Sequence, residues 1–338
     1  MGETIIRIEG RAGRITLNRP DQLNALSYQM ILDIEKALIA WEGDPAVDLV
    51  LVDGAGARAF CAGGDIEDMY RKGRAGDFSY GPKFWRDEYR LNAYIGSYKK
   101  PYVALMNGFV MGGGVGVSAH GSHRVVSDHS QVAMPECAIG LIPDVGGTHL
   151  LGRAPGSLGE FAGLTGHRMA AADAINMGFA DHYVPGDALD GLTRVLSETG
   201  DIAKIEDFEK SAGDSALAGL EAEIDPVFRL ESVGDIMAAL KETEAEWAAQ
   251  ARKAMGRGAP LSLICALQLV REARRLDSLE EALELEFRYT SRSAEHGEFL
   301  EGIRAAIIDK DRKPLWRYPS LEDVPDAVVA FMLAPVEA

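Results

Sequence analysis

Residues 101–120 read Pro-Tyr-Val-Ala-Leu-Met-Asn-Gly-Phe-Val-Met-Gly-Gly-Gly-Val-Gly-Val-Ser-Ala-His, and residues 134–147 read Met-Pro-Glu-Cys-Ala-Ile-Gly-Leu-Ile-Pro-Asp-Val-Gly-Gly. Val103 to Met106 is a short apolar run of the kind that forms a buried strand. Gly112, Gly113 and Gly114 follow, and then small residues that predict a helix over 115–120. Strand, glycine turn and helix start together aim bare backbone N–H groups at a negative oxygen. Glycine lets a ligand approach the chain closely, and a helix start leaves donors unpaired at the positive end of its dipole. A glycine triplet alone marks no more than a tight turn, so its neighbours decide the reading.

Upstream, Val47–Val52 is a nearly all-apolar run, as in strands buried on both faces. It leads to a second glycine turn, Ala59-Phe-Cys-Ala-Gly-Gly-Asp-Ile66. Asp65 there has the ordinary look of a cap for the next helix. Two glycine turns, each after a buried strand, can point two N–H groups at one carbonyl oxygen, which is an oxyanion hole. Downstream stand two acids, Glu136 and Asp144, each preceded by a proline that stiffens its loop. Two carboxylates held together are driven to different pKa values and so supply an acid and a base. By spacing alone, Glu136 equally suits a capping or salt-bridged loop acid, and Asp144 suits the N-cap of a helix opening at Gly146-Gly147-Thr148.

The rest of the chain frames this stretch. Ile5–Glu9 and Arg14–Leu17 predict a hairpin, and Ser27 caps a helix to about Trp41 with Met30, Ile31, Ile34, Leu38 and Trp41 on one face. Residues 71–83 read as a loop and 84–98 as a helix carrying Glu88, a lone acid that would ordinarily be solvated. Arg124–Ser127 and Gln131–Met134 are strand-like. The order strand, strand, helix recurs near 5–41, 47–70 and 102–120, so residues 1–185 form an α/β core. From Gly186 onward the segments are charged and amphipathic, and residues 186–338 read as a helical C-terminal region.

Composition narrows the chemistry. Apolar residues make up 47% of the 338, enough for a sizeable core, and the formal charge of 35 − 52 = −17 argues against nucleic acid or anionic membranes as partners. A small anionic substrate needs only a local positive rim. Cys61, Cys137 and Cys265 are odd in number and far apart, with neither metal spacing nor a disulfide framework, which fits a reducing compartment. Cys137 lies in the key stretch but has no evident histidine partner, so it makes a poor nucleophile. No secretory leader and no apolar run near ~18 residues is seen, so a soluble cytoplasmic protein is expected. The Gly-x-Ser-x-Gly elbow, the Gly-x-Gly-x-x-Gly fingerprint and the Walker sequence are all missing, and His120 and His123 do not make a metal pair.

Phe60-Cys-Ala-Gly-Gly-Asp-Ile66, Met111-Gly-Gly-Gly-Val-Gly116 and Met134-Pro-Glu…Pro143-Asp-Val-Gly-Gly147 resemble the crotonase (enoyl-CoA hydratase/isomerase) superfamily, and within it the 3-hydroxyisobutyryl-CoA hydrolases. Asn24-Ala-Leu-Ser27 resembles the superfamily's acyl-CoA-contacting turn, and Glu301-Gly-Ile-Arg with Ile308-Asp-Lys-Asp311 resembles the end of the hydrolase group. The resemblance implies a spiral of strand-strand-helix turns with a helical C-terminal region. It implies an oxyanion hole at the N–H groups of Gly64 and Gly113, an acid pair in Glu136 and Asp144, and Glu88 as a substrate-contacting acid. It also implies that Ala25, through its backbone, and Ile66 line the CoA channel. No separate cofactor or metal is implied, because CoA is part of the substrate. Superfamily members often form trimers or pairs of trimers, which makes a homo-oligomer an open state; the long helical tail argues the other way.

Gly116 is the decisive departure. Two-glutamate hydratases carry an acid at the matching position, and here there is no side chain. Adding water across a double bond wants an acid and a base on the reacting carbons. Thioester hydrolysis needs a polarised carbonyl and one carboxylate that attacks it or activates water. The expectation is therefore an acyl-CoA thioester hydrolase. An enoyl-CoA hydratase or isomerase is the alternative, and a non-catalytic acyl-CoA-binding protein is a more distant one.

Overall fold

The computed structural model describes residues 2–336. Strands β1 (Thr4–Glu9) and β2 (Ala12–Leu17) form the expected antiparallel hairpin. The Ser27 hydroxyl accepts the Met30 N–H at 3.2 Å and caps helix Tyr28–Glu42. The five apolar residues foreseen on that helix are all buried. Burying each contributes about 1.5–3 kcal/mol. Gly13 in β2 makes room for one of them, since a Cβ there would stand 2.4 Å from the Trp41 ring.

Strands β3 (Leu49–Gly54), β5 (Tyr102–Met106), β7 (His123–Val126) and β9 (His182–Tyr183) extend the hairpin into a six-stranded sheet of order β1-β2-β3-β5-β7-β9. Every pairing after the hairpin is parallel. Leu49, Leu51, Val103, Leu105 and Val125 pack on one side with Leu192 and Leu196 from helix Leu189–Thr199. Burial on both faces explains why β3 and β5 read as unbroken apolar runs rather than alternating ones.

A second, three-stranded parallel sheet has the order β4-β6-β8, from β4 (Ala59–Cys61), β6 (Phe109–Met111) and β8 (Gln131–Ala133). Chain order is thus strand, strand, helix repeated: β3-β4 then helix Glu67–Arg74, β5-β6 then helix Gly113–Gly116, β7-β8 then the 3-10 turn Glu136–Ile139. Gly64, Gly113 and Glu136 each follow a strand of the small sheet. From Gly186 on, every element among the described residues is helical.

The chain clusters into two compact units that interleave along the sequence. Met1–Asp65, Asp87–Ala133 and Arg168–Ala218 form one, which holds both sheets. Ile66–Arg86, Met134–His167 and Gly219–Ala338 form the other, which is helical. In the helical unit, Pro260–Ala273 packs against Gly147–Arg153 and Leu158–Thr165.

Three local expectations change. The segment read as a loop is helical over Glu67–Arg74 and again from Tyr80, so the next helix spans Tyr80–Gly96. Its Gly and Ser content masks the last turn of the first helix, whose buried residue Met69 lies just ahead of the segment. The small-residue helix starts earlier and is a single turn, Gly113–Gly116. Asp65 is not a helix cap: Ile66 occupies the cap position, and the Asp65 carboxylate accepts from Arg19 at 2.7 Å.

Candidate active site

In the sheet-bearing unit, both glycine turns owe their shape to the residue just ahead of the expected donor. Gly63 has φ +117° and Gly112 has φ +50°, conformations that side chains rarely adopt. Each turns the chain so that the following glycine starts a new direction. The two turns meet. Gly64 N lies 3.3 Å from the point where a Cβ on Gly113 would stand, and Glu88 Oε1 lies 2.9 Å from it. Gly113 is buried, with Leu26 Cδ1 3.3 Å from the same point. Gly64, Gly113 and Glu88 therefore surround one small space.

Glu88 is 2% exposed, so the solvated surface acid that its helix suggested is not what forms. The Ala25 turn is zipped to the first glycine turn: Leu26 N–H donates to Gly63 O at 2.9 Å and Asp65 N–H to Leu26 O at 2.8 Å. Arg19 spans the same region, giving one guanidinium N–H to Ala25 O and another to Asp65, each at 2.7 Å. Asn24, fully buried at φ +56°, donates to Ala55 O at 3.0 Å and Ala59 O at 2.8 Å. Ala25 is half-buried.

In the helical unit, Glu136 opens the 3-10 turn Glu136–Ile139 and is 4% exposed. Its Oε2 has no hydrogen-bond partner among the described residues, and it is neither a cap nor an ion-pair member there. Burial holds the carboxyl well above the usual range, and the neighbouring Asp144 and Glu286 push the same way. Asp144 is also 4% exposed. It is not the N-cap of helix Gly147–Arg153, a position that falls to Gly146. Val145 and Gly146 between them both have positive φ, +54° and +79°, and Gly147 N–H closes the turn onto Asp144 O at 2.7 Å. A β-branched residue in that region costs about 1–3 kcal/mol and persists only where its surroundings enforce it. Ile66, half-buried, is in this unit and caps helix Glu67–Arg74. The Cys137 thiol, 3% exposed, is raised well above its ordinary range by burial, so it stays protonated and unreactive.

The sequence reading missed Glu286. It lies on helix Leu279–Ser293, fully buried, and accepts from Gly146 N at 2.8 Å and from the N–H of Thr148 at 2.9 Å, as well as from the Thr148 hydroxyl. The signal was present: Glu286 shares the apolar stripe with Ala282, Leu283, Tyr289 and Ser293, whereas Glu280 and Glu284 do not. Burial pushes its carboxyl up to about 8, and Asp144 adds to this against the pull of the three donors. Its ordinary value is near 4.5, so the folded protein holds this proton more tightly than the unfolded chain does. That stability is present in full below pH 4.5 and is lost as pH climbs toward 8, by an amount of order several kcal/mol. The melting temperature should therefore fall between pH 5 and 9 more steeply for the parent than for Glu286→Gln. Parallel melting curves of the two would contradict this account.

No group of three or more His, Cys, Asp and Glu among the described residues is arranged to hold a metal ion, and none of their helices is long and apolar enough to cross a membrane.

The strand-strand-helix repeat, with glycine turns after β4 and β6, places the chain in a known fold class. Residues 12–333 match the enoyl-CoA hydratase/isomerase family, and the chain belongs to it. It is 38% identical to the mitochondrial 3-hydroxyisobutyryl-CoA hydrolase of Gallus gallus, over 99% of this chain and 89% of that one. It is 39% identical to the corresponding protein of Danio rerio, over 97% and 88%. Among solved structures, an enoyl-CoA hydratase from Rhodobacter sphaeroides 2.4.1 is 49% identical and superposes with a TM-score of 0.95, covering 99% of this chain and 98% of that one. The crotonase fold expected from the motifs is thus the fold observed.

Proposed function

We propose that this protein hydrolyses an acyl-CoA thioester, with 3-hydroxyisobutyryl-CoA as its substrate, in the breakdown of valine. The observation that carries this reading is Gly116. It is buried within helix Gly113–Gly116 and offers no carboxylate at the position where two-glutamate hydratases have one. The names of the hydrolases at 38% and 39% identity support the same choice. In this reading the N–H groups of Gly64 and Gly113 polarise the thioester oxygen. Glu136 works on the carbonyl carbon, either attacking it or taking a proton from water that attacks. Attack by Glu136 forms a C–O bond, breaks the C–S bond and releases CoA as a thiolate that takes up a proton; water then cleaves the mixed anhydride. Asp144 orients the substrate hydroxyl or the water, and its charge sets the ionisation of Glu136. Glu88 contacts the substrate, and Ala25 and Ile66 line the path of CoA.

The hydratase reading has a specific observation in its favour, the 49% identity to a structure described as an enoyl-CoA hydratase. The two reactions leave different traces. A panel of acyl-CoA thioesters with a thiol-reactive dye should show release from 3-hydroxyisobutyryl-CoA above all others. Loss of enoyl absorbance without thiol release would select the hydratase instead.

A further inference from the structure

The turn that carries Asp144 is closed by one local hydrogen bond, from Gly147 N–H to Asp144 O at 2.7 Å, around a strained residue. Val145 is a β-branched residue at φ +54°, followed by Gly146 at φ +79°, and the chain then enters a helix of only seven residues. Relaxation of Val145 to an ordinary β conformation would swing Asp144 away. Beyond the local hydrogen bond, a second restraint on that swing comes from far along the chain. The Glu286 side chain reaches back to the N–H groups of Gly146 and Thr148 and to the Thr148 hydroxyl, within four residues of Asp144 on its C-terminal side. Both of its oxygens are used, one on each side of Gly147. A carboxyl group with no exposure is costly to bury, protonated or not, unless its oxygens are engaged. At a position needed only for packing, an apolar residue of like size would serve as well.

We propose that Glu286 is a positioning residue: its two oxygens lock the Asp144–Thr148 turn in its strained form and so fix where the Asp144 carboxyl points. The proposal rests on the reading of Asp144 as one of the site acids. Glutamine keeps the size of the side chain but has one acceptor oxygen, so either rotamer of its amide sets an NH2 group against one of the two backbone donors.

Amide exchange tests the lock without any turnover. In Glu286→Gln, exchange at Gly146 and Thr148 should accelerate at least tenfold while amides in the two sheets keep their protection; unchanged exchange overturns the proposal. Thiol release tests the consequence. With 3-hydroxyisobutyryl-CoA, kcat of the folded variant should fall about tenfold or more at a KM within twofold of the parent, and Glu286→Asp should recover part of it. A kcat within twofold of the parent would reduce Glu286 to an anchor and overturn its positioning role. Should Glu286→Gln not fold, Thr148→Val removes one donor while keeping the volume. About threefold lower kcat at unchanged KM is then expected, and no change overturns the proposal. If the parent itself releases thiol from no acyl-CoA, the hydrolase reading fails, and the exchange measurement alone upholds or overturns the lock.

Discussion

Replacing Glu136 by glutamine should lower thiol release by roughly 10²- to 10⁴-fold, the range for a group that moves a proton or attacks in the transition state. The amide is nearly the same size and cannot ionise. It should not unfold the protein, because the wild-type carboxyl is itself held well above its usual range by burial. An acid with a raised value contributes stability that fades as pH rises, so the variant should lose less stability than the parent on going from acid to alkaline solution. The same raised value means that parent activity should climb with pH beyond the ordinary glutamate range, as the working carboxylate forms. Near-normal turnover of the glutamine variant would end the proposed mechanism.

Gly113→Ala should be the second large effect, with about 10²- to 10³-fold less activity. That is the loss expected when one donor of an oxyanion hole is blocked, about 3–4 kcal/mol of transition-state stabilisation. The added methyl would stand 3.3 Å from Gly64 N and 2.9 Å from Glu88 Oε1, in the space to which the two turns converge. Folding should survive. The φ of Gly113 is not positive, unlike that of Gly112, so alanine can adopt the backbone, and alanine suits a helix better than glycine does. Leu26 Cδ1, at 3.3 Å, is a side-chain end that can shift. A variant within fivefold of the parent would show that this space is not where the oxygen binds.

Particular residues show what each level of structure decides. Ser27 and the face from Met30 to Trp41 were legible because a cap and a 3.6-residue period are local properties. The glycine turns were legible because Gly63 and Gly112 sit at conformations that few other residues tolerate. Glu88 reads from its helix as a solvated acid, although Phe84, Leu91 and Ile95, at i−4, i+3 and i+7, put it on the buried stripe; only the family resemblance gives it a substrate role. Residues 71–83 read as a loop because their Gly, Ser and charged residues show no apolar period, although the first helix runs on to Arg74 and the next begins at Tyr80.

By itself the sequence determined the alternation of strands and helices, the two turns that bare their N–H groups and the absence of an acid at Gly116, because each is written in residue type and spacing along a continuous stretch. Only the tertiary structure decided that Gly64, Gly113 and Glu88 share one space, that Glu136 is stripped of water, and that Glu286 holds the turn 140 positions before it. Those facts depend on which distant segments exclude solvent from one another. Burial and close approach arise from packing, and no local pattern encodes them.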